Sequence, residues 1–248
     1  MTSKLLILGG TTEASALAQF LSATHVDAVF SYAGRVASPK VQPLPTRIGG
    51  FGGAAGLVQY LKQHNITHVV DATHPFAAQM SWNAFEACEA ADVKLLALTR
   101  PEWRAQAGDK WTCVTDIEGA VEALVGPKRR VLLALGKLNL PAFAVQSQHH
   151  YVLRLVDHPE VTPPLPNHTV VVARGPFQEA DDCALMATHK IDVVVCKNAG
   201  GTGAAAKLHA ARALGIEVIM IDRPVLPPRE EVGTPDAVAA WLRRCETP

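Results

Sequence analysis

Leu5-Leu6-Ile7-Leu8-Gly9-Gly10-Thr11-Thr12-Glu13-Ala14 is an apolar run that breaks on two glycines and continues in helix-forming residues. It predicts a buried strand, a glycine turn and the N-terminus of a helix. Backbone N–H groups at such a turn can approach an anion closely, and the helix dipole adds about half a positive charge at the same place. The ligand this pattern points to is a nucleotide cofactor. Only the paired glycines of the dinucleotide fingerprint are present, with Ala14 near the place where a third small residue packs against the sheet. A plain strand-to-helix turn fits the same stretch, so the rest of the chain has to discriminate.

Outward from this stretch, short β-branched runs alternate with alanine-rich helical segments, the pattern of a parallel sheet covered on both faces. Strands are predicted at 5–8, 28–31, 68–71 and 94–98, with helices at 13–21, 54–64 and 77–91. The second half repeats the alternation, with strands at 131–135, 151–156, 170–173, 193–196 and 218–221 and helices at 180–189, 204–214 and 235–243. Leu132-Leu133-Ala134-Leu135-Gly136 resembles the first strand and its glycine, and a helical pattern follows both. Strand, loop, alanine-rich helix and a strand ending in Arg-Pro run from Val69 to Arg100-Pro101 and again from Val194 to Arg223-Pro224. Chance likeness between two α/β segments is the alternative to duplication. The expectation is an α/β fold of two similar Rossmann-like lobes, 1–101 for the cofactor and 102–248 for the substrate, with parallel sheets flanked by helices. Strand-end loops of both lobes are expected to face a shared cleft. The segment 227–248 offers only a helix, expected to pack on a lobe.

At 248 residues and 48% hydrophobic, the chain can fill one large core or two small ones. Lys and Arg together number 23, as do Asp and Glu, so no net field draws nucleic acid or an anionic membrane. The five cysteines, Cys88, Cys113, Cys183, Cys196 and Cys245, are scattered without a Cys-x-x-Cys pair. That indicates neither a disulfide framework nor a zinc site and fits a reducing cytoplasm. The N-terminal apolar run is too short for a signal-peptide core, and no later run approaches the roughly 20 residues of a membrane span.

Unusual residues collect at the strand ends. Ser31-Tyr32-Ala33-Gly34-Arg35 closes the second strand, where an acid would bind the ribose 2′-hydroxyl of NAD and an arginine with a hydroxyl suits the 2′-phosphate of NADP. Asp71-Ala72-Thr73-His74-Pro75-Phe76 closes the third, with Thr73 as a candidate helix cap and Pro75 in the first turn. His74 could touch nicotinamide or substrate, or could cap and pack. Gly49-Gly50-Phe51-Gly52-Gly53, preceded by Arg47, is either a loop that closes over a ligand or a permissive connection. In the second half, Cys196-Lys197-Asn198-Ala199-Gly200-Gly201-Thr202-Gly203 reads as a second anion site that lacks the Gly-Lys-Ser/Thr ending of a phosphate loop. Lys137, Arg154, Arg174 and Lys207 add charge suited to a ligand with several carboxylates, although Arg154 and Lys207 read better as solvated surface. His149-His150 are adjacent rather than at metal-ligand spacing, and read as structural or substrate-facing.

Gly9-Gly10-Thr11-Thr12-Glu13, Ser31 to Arg35, Gly49 to Gly53, Asp71 to Phe76, Arg174-Gly175-Pro176-Phe177 and Lys197-Asn198-Ala199-Gly200-Gly201 follow one another in an order that resembles the precorrin-6A reductases of cobalamin biosynthesis. The resemblance runs from Leu5 to about Pro224. It implies NADPH-dependent reduction of precorrin-6A to precorrin-6B, by hydride delivery to one ring carbon and protonation of its neighbour. Gly9 to Glu13, Ser31 to Arg35 and Thr73 to Pro75 would hold NADPH in the first lobe. Lys137, Arg174, Lys197, Asn198, Gly200, Gly201 and Thr202 would hold the carboxylate-edged tetrapyrrole. His74 and Lys197 are the catalytic candidates, with bulk water a rival source of the proton. The resemblance implies no nucleic acid, no membrane and no protein metal site, and it is compatible with contacts to other corrin-pathway enzymes. Reductases of the cobalt-containing analogue look similar. A short-chain dehydrogenase would carry Tyr-x-x-x-Lys, which none of Tyr32, Tyr60 or Tyr151 begins. A non-catalytic two-lobed anion- or nucleotide-binding protein would bind ligand without turnover.

Overall fold

The computed structural model describes residues 3–34, 39–173, 175 and 177–246. Along the chain lie β1 (Lys4–Leu8), α1 (Thr12–Leu21), β2 (Asp27–Tyr32), β3 (Thr46–Ile48), α2 (Gly53–Gln63), β4 (His68–Asp71), α3 (Ala78–Ala91) and β5 (Lys94–Leu98). They are followed by β6 (Trp111–Val114), α4 (Ile117–Glu122), β7 (Arg130–Ala134), a 3₁₀ segment (Lys137–Val145), β8 (His150–Leu155), β9 (His168–Val172) and α5 (Glu179–Thr188). The chain ends with β10 (Val193–Lys197), α6 (Ala206–Leu214), β11 (Glu217–Ile221), β12 (Glu230–Val232) and α7 (Pro235–Glu246). It divides into two compact units, Met1–Pro101 with Val225–Pro248, and Glu102–Pro224.

Each unit carries a six-stranded sheet, ordered β12-β5-β4-β1-β2-β3 in the first and β6-β11-β10-β7-β8-β9 in the second. Every pairing is parallel. The first unit starts mid-sheet with β1, builds outward through two strands, then crosses back to the other side of β1; the second starts at the sheet edge with β6 and from β7 onward follows the same path. The switch points lie between β1 and β4 and between β7 and β10, the place where doubly wound sheets bind ligands at the carboxyl ends of their strands. Helical crossovers are what parallel neighbours require, which is why the alanine-rich segments separate the strands.

Burial explains the continuous apolar reading of the central strands. Leu5 and Ile7 pack with Leu17 and Leu21 of α1 and Trp241 and Leu242 of α7 on one face of the first sheet. Leu6 and Leu8 pack with Leu57 and Leu61 of α2 and Ala84 and Cys88 of α3 on the other. A strand covered on both sides has no polar face to alternate with. The second sheet is built alike, with Val131 to Leu133 and Val193 to Cys196 fully buried.

Three expectations need correction. The stretch 225–248 belongs to the first unit, not the second: β12 pairs with β5 through Glu231↔Ala97, and Thr99 N–H donates to Val232 O at 2.9 Å. Val238, Trp241 and Leu242 of α7 form an i, i+3, i+4 stripe that closes the α1 side of that core, while β12 covers what would be the open edge of β5. After β7 the chain forms a 3₁₀ segment instead of an α-helix; Pro141 lies inside it, and in an α-helix its ring would clash with the carbonyl four residues back. Helix α3 starts at Ala78 behind Ala77, which makes no side-chain cap, so Thr73 and Pro75 precede the helix. Among the described residues no helix is long and apolar enough to cross a membrane.

Trp241 is 4% exposed and meets His68 edge-on with ring centroids 5.2 Å apart. Trp241→Ala should cost about 3–5 kcal/mol. Amide exchange is expected to show protection lost in β1, β4 and β5 and retained in β7 and β10.

Candidate functional site

In the first unit a pocket of about 780 Å³ opens at the carboxyl ends of β1, β2 and β4. Its floor is the glycine turn. Gly9 donates its N–H to Ser31 O at 2.9 Å, and a Cβ there would lie 2.1 Å from Cζ of Phe30. Any side chain would therefore displace a fully buried ring. Gly10 has φ +120° with open space beside it, a conformation that excludes most other residues. The Thr11 hydroxyl accepts from Ala14 N–H at 3.1 Å and donates to Ala72 O at 2.8 Å, tying the start of α1 to the end of β4. Gly10, Thr11 and Thr12 form the pocket wall here, where the first N–H groups of α1 have no carbonyl of their own helix to bind. Ala14 is fully buried, as close packing of helix on sheet demands.

Glu13, read from sequence as a cofactor contact, lies outside this wall. Its carboxylate accepts from Arg100 at 2.7 Å and from the Thr12 hydroxyl at 3.0 Å, so its charge is neutralised beside the anion-attracting helix end. Ser31 is likewise occupied: 4% exposed, its hydroxyl accepts from Arg47 at 2.8 Å. Arg47 also donates to Gly49 O and Gly50 O and stacks 3.9 Å over Phe51, which laces the glycine cluster together. Tyr32, Ala33 and Gly34 line the pocket; Arg35 lies outside the described residues.

The opposite wall carries Thr73 and His74, with Pro75 buried behind them. Phe76 N–H donates to His74 Nδ1 at 3.2 Å, which assigns the proton of a neutral His74 ring to Nε2. This wall is set by Asp71. Its Oδ1 accepts from Thr73 N–H at 3.0 Å and the Thr73 hydroxyl at 2.6 Å, and its Oδ2 accepts from the Ser81 hydroxyl at 2.6 Å and from Arg229. The side chains of Asp71 and Arg229 are 1% and 5% exposed. Nothing local in the sequence marks Arg229, which reaches back from the C-terminal stretch. A third wall is the segment 39–43, where Tyr32 Oη donates to Lys40 O at 2.8 Å and Gln42 Nε2 donates to Ser15 Oγ at 3.0 Å.

In the second unit Lys197 ends β10 half-buried, and burial lowers its pKa from the usual 10.5. Exposed Lys137 follows β7, the neighbouring strand, so two ammonium groups flank that sheet's switch point. Asn198 is occupied structurally: its amide accepts from Trp103 N–H at 2.8 Å and donates to Trp103 O at 3.0 Å. Gly200 and Gly201 both take φ +71°, and Gly201 O accepts from the Trp103 indole at 2.7 Å. Thr202 is exposed, and Arg174 lies outside the described residues. Arg154 and Lys207 are not solvated. Arg154 pairs with buried Asp182 and lies over Phe177, and Lys207, 4% exposed, donates to Ala204 O beneath the Trp103 ring. His149 is structural, with Nε2 on Leu124 O at 2.7 Å. No group of His, Cys, Asp and Glu among the described residues could hold a metal ion.

The sequence profile of the family described as precorrin-6x reductase, CbiJ/CobK, matches residues 4–243. The chain belongs to this family. It is 56% identical to the precorrin-6A reductase of Rhodobacter capsulatus over 240 residues, covering 97% of this chain and 96% of that one. Against the cobalt-precorrin-6A reductase of Priestia megaterium identity is 28%, over 89% and 90% of the two chains. A solved structure, CobK precorrin-6A reductase, superposes with a TM-score of 0.94 at 55% identity, covering 98% of this chain and 97% of its own.

Removing Arg229 would strand the Asp71 carboxylate in the interior. Arg229→Gln should cost about 3–5 kcal/mol of unfolding free energy. Adding Asp71→Asn should recover part of that loss, and a double-mutant cycle by urea denaturation measures the coupling.

Proposed function

We propose that this chain reduces precorrin-6A to precorrin-6B in corrin-ring biosynthesis, with NADPH as the reductant. The observation that carries the reading is the Gly9–Gly10 cradle at a switch point, in a chain of this family. The metal-free substrate is favoured by identities of 47–56% to three relatives named precorrin-6A reductase, against 27–30% to those named for the cobalt analogue.

The residues present fit an anionic dinucleotide. A Cβ-excluding turn and a capped helix N-terminus meet at the pocket floor, and no Asp or Glu lines the described wall. When bound, the nicotinamide supplies the hydride. Gly10, Thr11 and Thr12 hold the diphosphate by backbone N–H groups, Arg35 takes the 2′-phosphate, and Thr73 with His74 bounds the nicotinamide end. The Rossmann-like strand order supports this assignment of the pocket.

The second unit takes the tetrapyrrole. Lys137, Arg174 and Lys197 bind its acetate and propionate groups, while Asn198, Gly200 and Gly201 shape the turn that presents Lys197. Lys197 Nζ holds the proton delivered beside the reduced carbon, since a burial-lowered ammonium is a stronger acid than a solvated one. A cytoplasmic location fits the five free thiols.

Loss of NADPH absorbance on adding precorrin-6A, and none without it, tests the reaction; nucleotide binding without turnover would favour a non-catalytic binding protein. Arg35→Ala should raise the Michaelis constant for NADPH about tenfold or more and leave that for NADH little changed. Because burial lowers the Lys197 pKa, the ammonium gives up its proton at a lower pH than an ordinary lysine, and kcat should fall as pH rises through that lowered pKa. Lys197→Met should lower kcat and abolish this alkaline limb.

A further inference from the structure

The segment 39–43 of the first unit's pocket wall lies in none of the sequence motifs. Lys40 is the one Lys or Arg of the pocket wall among the described residues. It is exposed, and the hydrogen bonds it makes among the described residues are through its carbonyl alone. Its backbone is fastened from two sides. Tyr32, at the end of β2, donates its hydroxyl to Lys40 O at 2.8 Å. The Gln42 amide reaches the same carbonyl at 3.5 Å, the Tyr32 hydroxyl at 2.5 Å and Ser15 Oγ on α1 at 3.0 Å. A cation on backbone already held in place loses less conformational freedom on meeting an anion than one on an untethered segment.

The position is informative as well. In a sheet of this order the end of the second strand meets the adenosine ribose, and an acid there selects the free 2′-hydroxyl. Residues 32–34 and 39–43, which form this part of the wall, hold no acid. The described surface thus offers one cation and no competing carboxylate where a ribose substituent would lie.

We propose that Lys40 is a specificity-determining residue whose ammonium binds the phosphomonoester on the adenosine ribose of the dinucleotide. This rests on the reading of the pocket as a nucleotide site. Lys40 acts in addition to the role proposed for Arg35, and the Ser15–Gln42–Tyr32 hydrogen-bond chain is its positioning device.

Titration calorimetry of the whole chain with adenosine 2′,5′-bisphosphate and with ADP tests it without turnover. Lys40→Met should weaken the bisphosphate about tenfold and ADP by less than about twofold, with Lys40→Arg close to the unaltered chain. Tyr32→Phe, which keeps the ring and removes the hydroxyl's hydrogen bond to the Lys40 carbonyl, should weaken the bisphosphate by about two- to threefold. Equal losses for both probes in Lys40→Met, or an unchanged bisphosphate affinity, would overturn the role of Lys40. Binding of neither probe by the unaltered chain would instead overturn the nucleotide reading, and this assignment with it.

Discussion

The buried carboxylate of Asp71 is the point on which the first unit's site depends. Taking a charge out of water costs several kcal/mol unless hydrogen bonds and an opposite charge compensate it. Here Thr73, Ser81 and Arg229 do so together, from the pocket wall, from α3 and from the C-terminal stretch. Satisfying one carboxylate therefore fixes the 72–77 wall against the sheet and joins 225–248 to a unit from which the whole second unit separates it in sequence. Thr11, bonded to Ala72 O, transmits that fixed height to the glycine turn.

The two units use one strand order for different electrostatic ends. Counted from the strand-ending glycines, Leu8 stands opposite Asp71, and the corresponding place in the second unit is Lys197, one step beyond the Ala134↔Cys196 pair. One switch point thus ends in an acid consumed by its own unit, the other in a half-buried base. The Arg-Pro pairs diverge similarly. Arg100 neutralises Glu13 beside the cradle, whereas Arg223 holds the carbonyls of Asn198 and Ala199 in the turn after Lys197. Internal neutralisation leaves no Asp or Glu on the described wall of the first pocket, whereas Lys137 and Lys197 flank the second unit's switch point.

Legibility followed the range of the interactions. The central strands could be read because burial on both faces makes them unbroken apolar runs, and Gly9 because its demand comes from one ring on the neighbouring strand. The edge strands β3, β6 and β12 could not, being only 3–4 residues long and bearing polar or charged residues. Asn198 carries the right chemistry for a ligand, yet its amide serves Trp103, 95 positions away. Arg154 and Lys207 read as surface because a charge is buried or not according to partners the chain brings from elsewhere.

By itself the sequence determined the glycine turn, the α/β alternation, the likeness of the halves and the family, since each rests on neighbouring residues or on motif order. Tertiary structure alone decided which unit owns the C-terminal strand and helix, and which predicted ligand groups are already spoken for. Arg229 finds Asp71 across 158 positions, and no local pattern records a partner that distant.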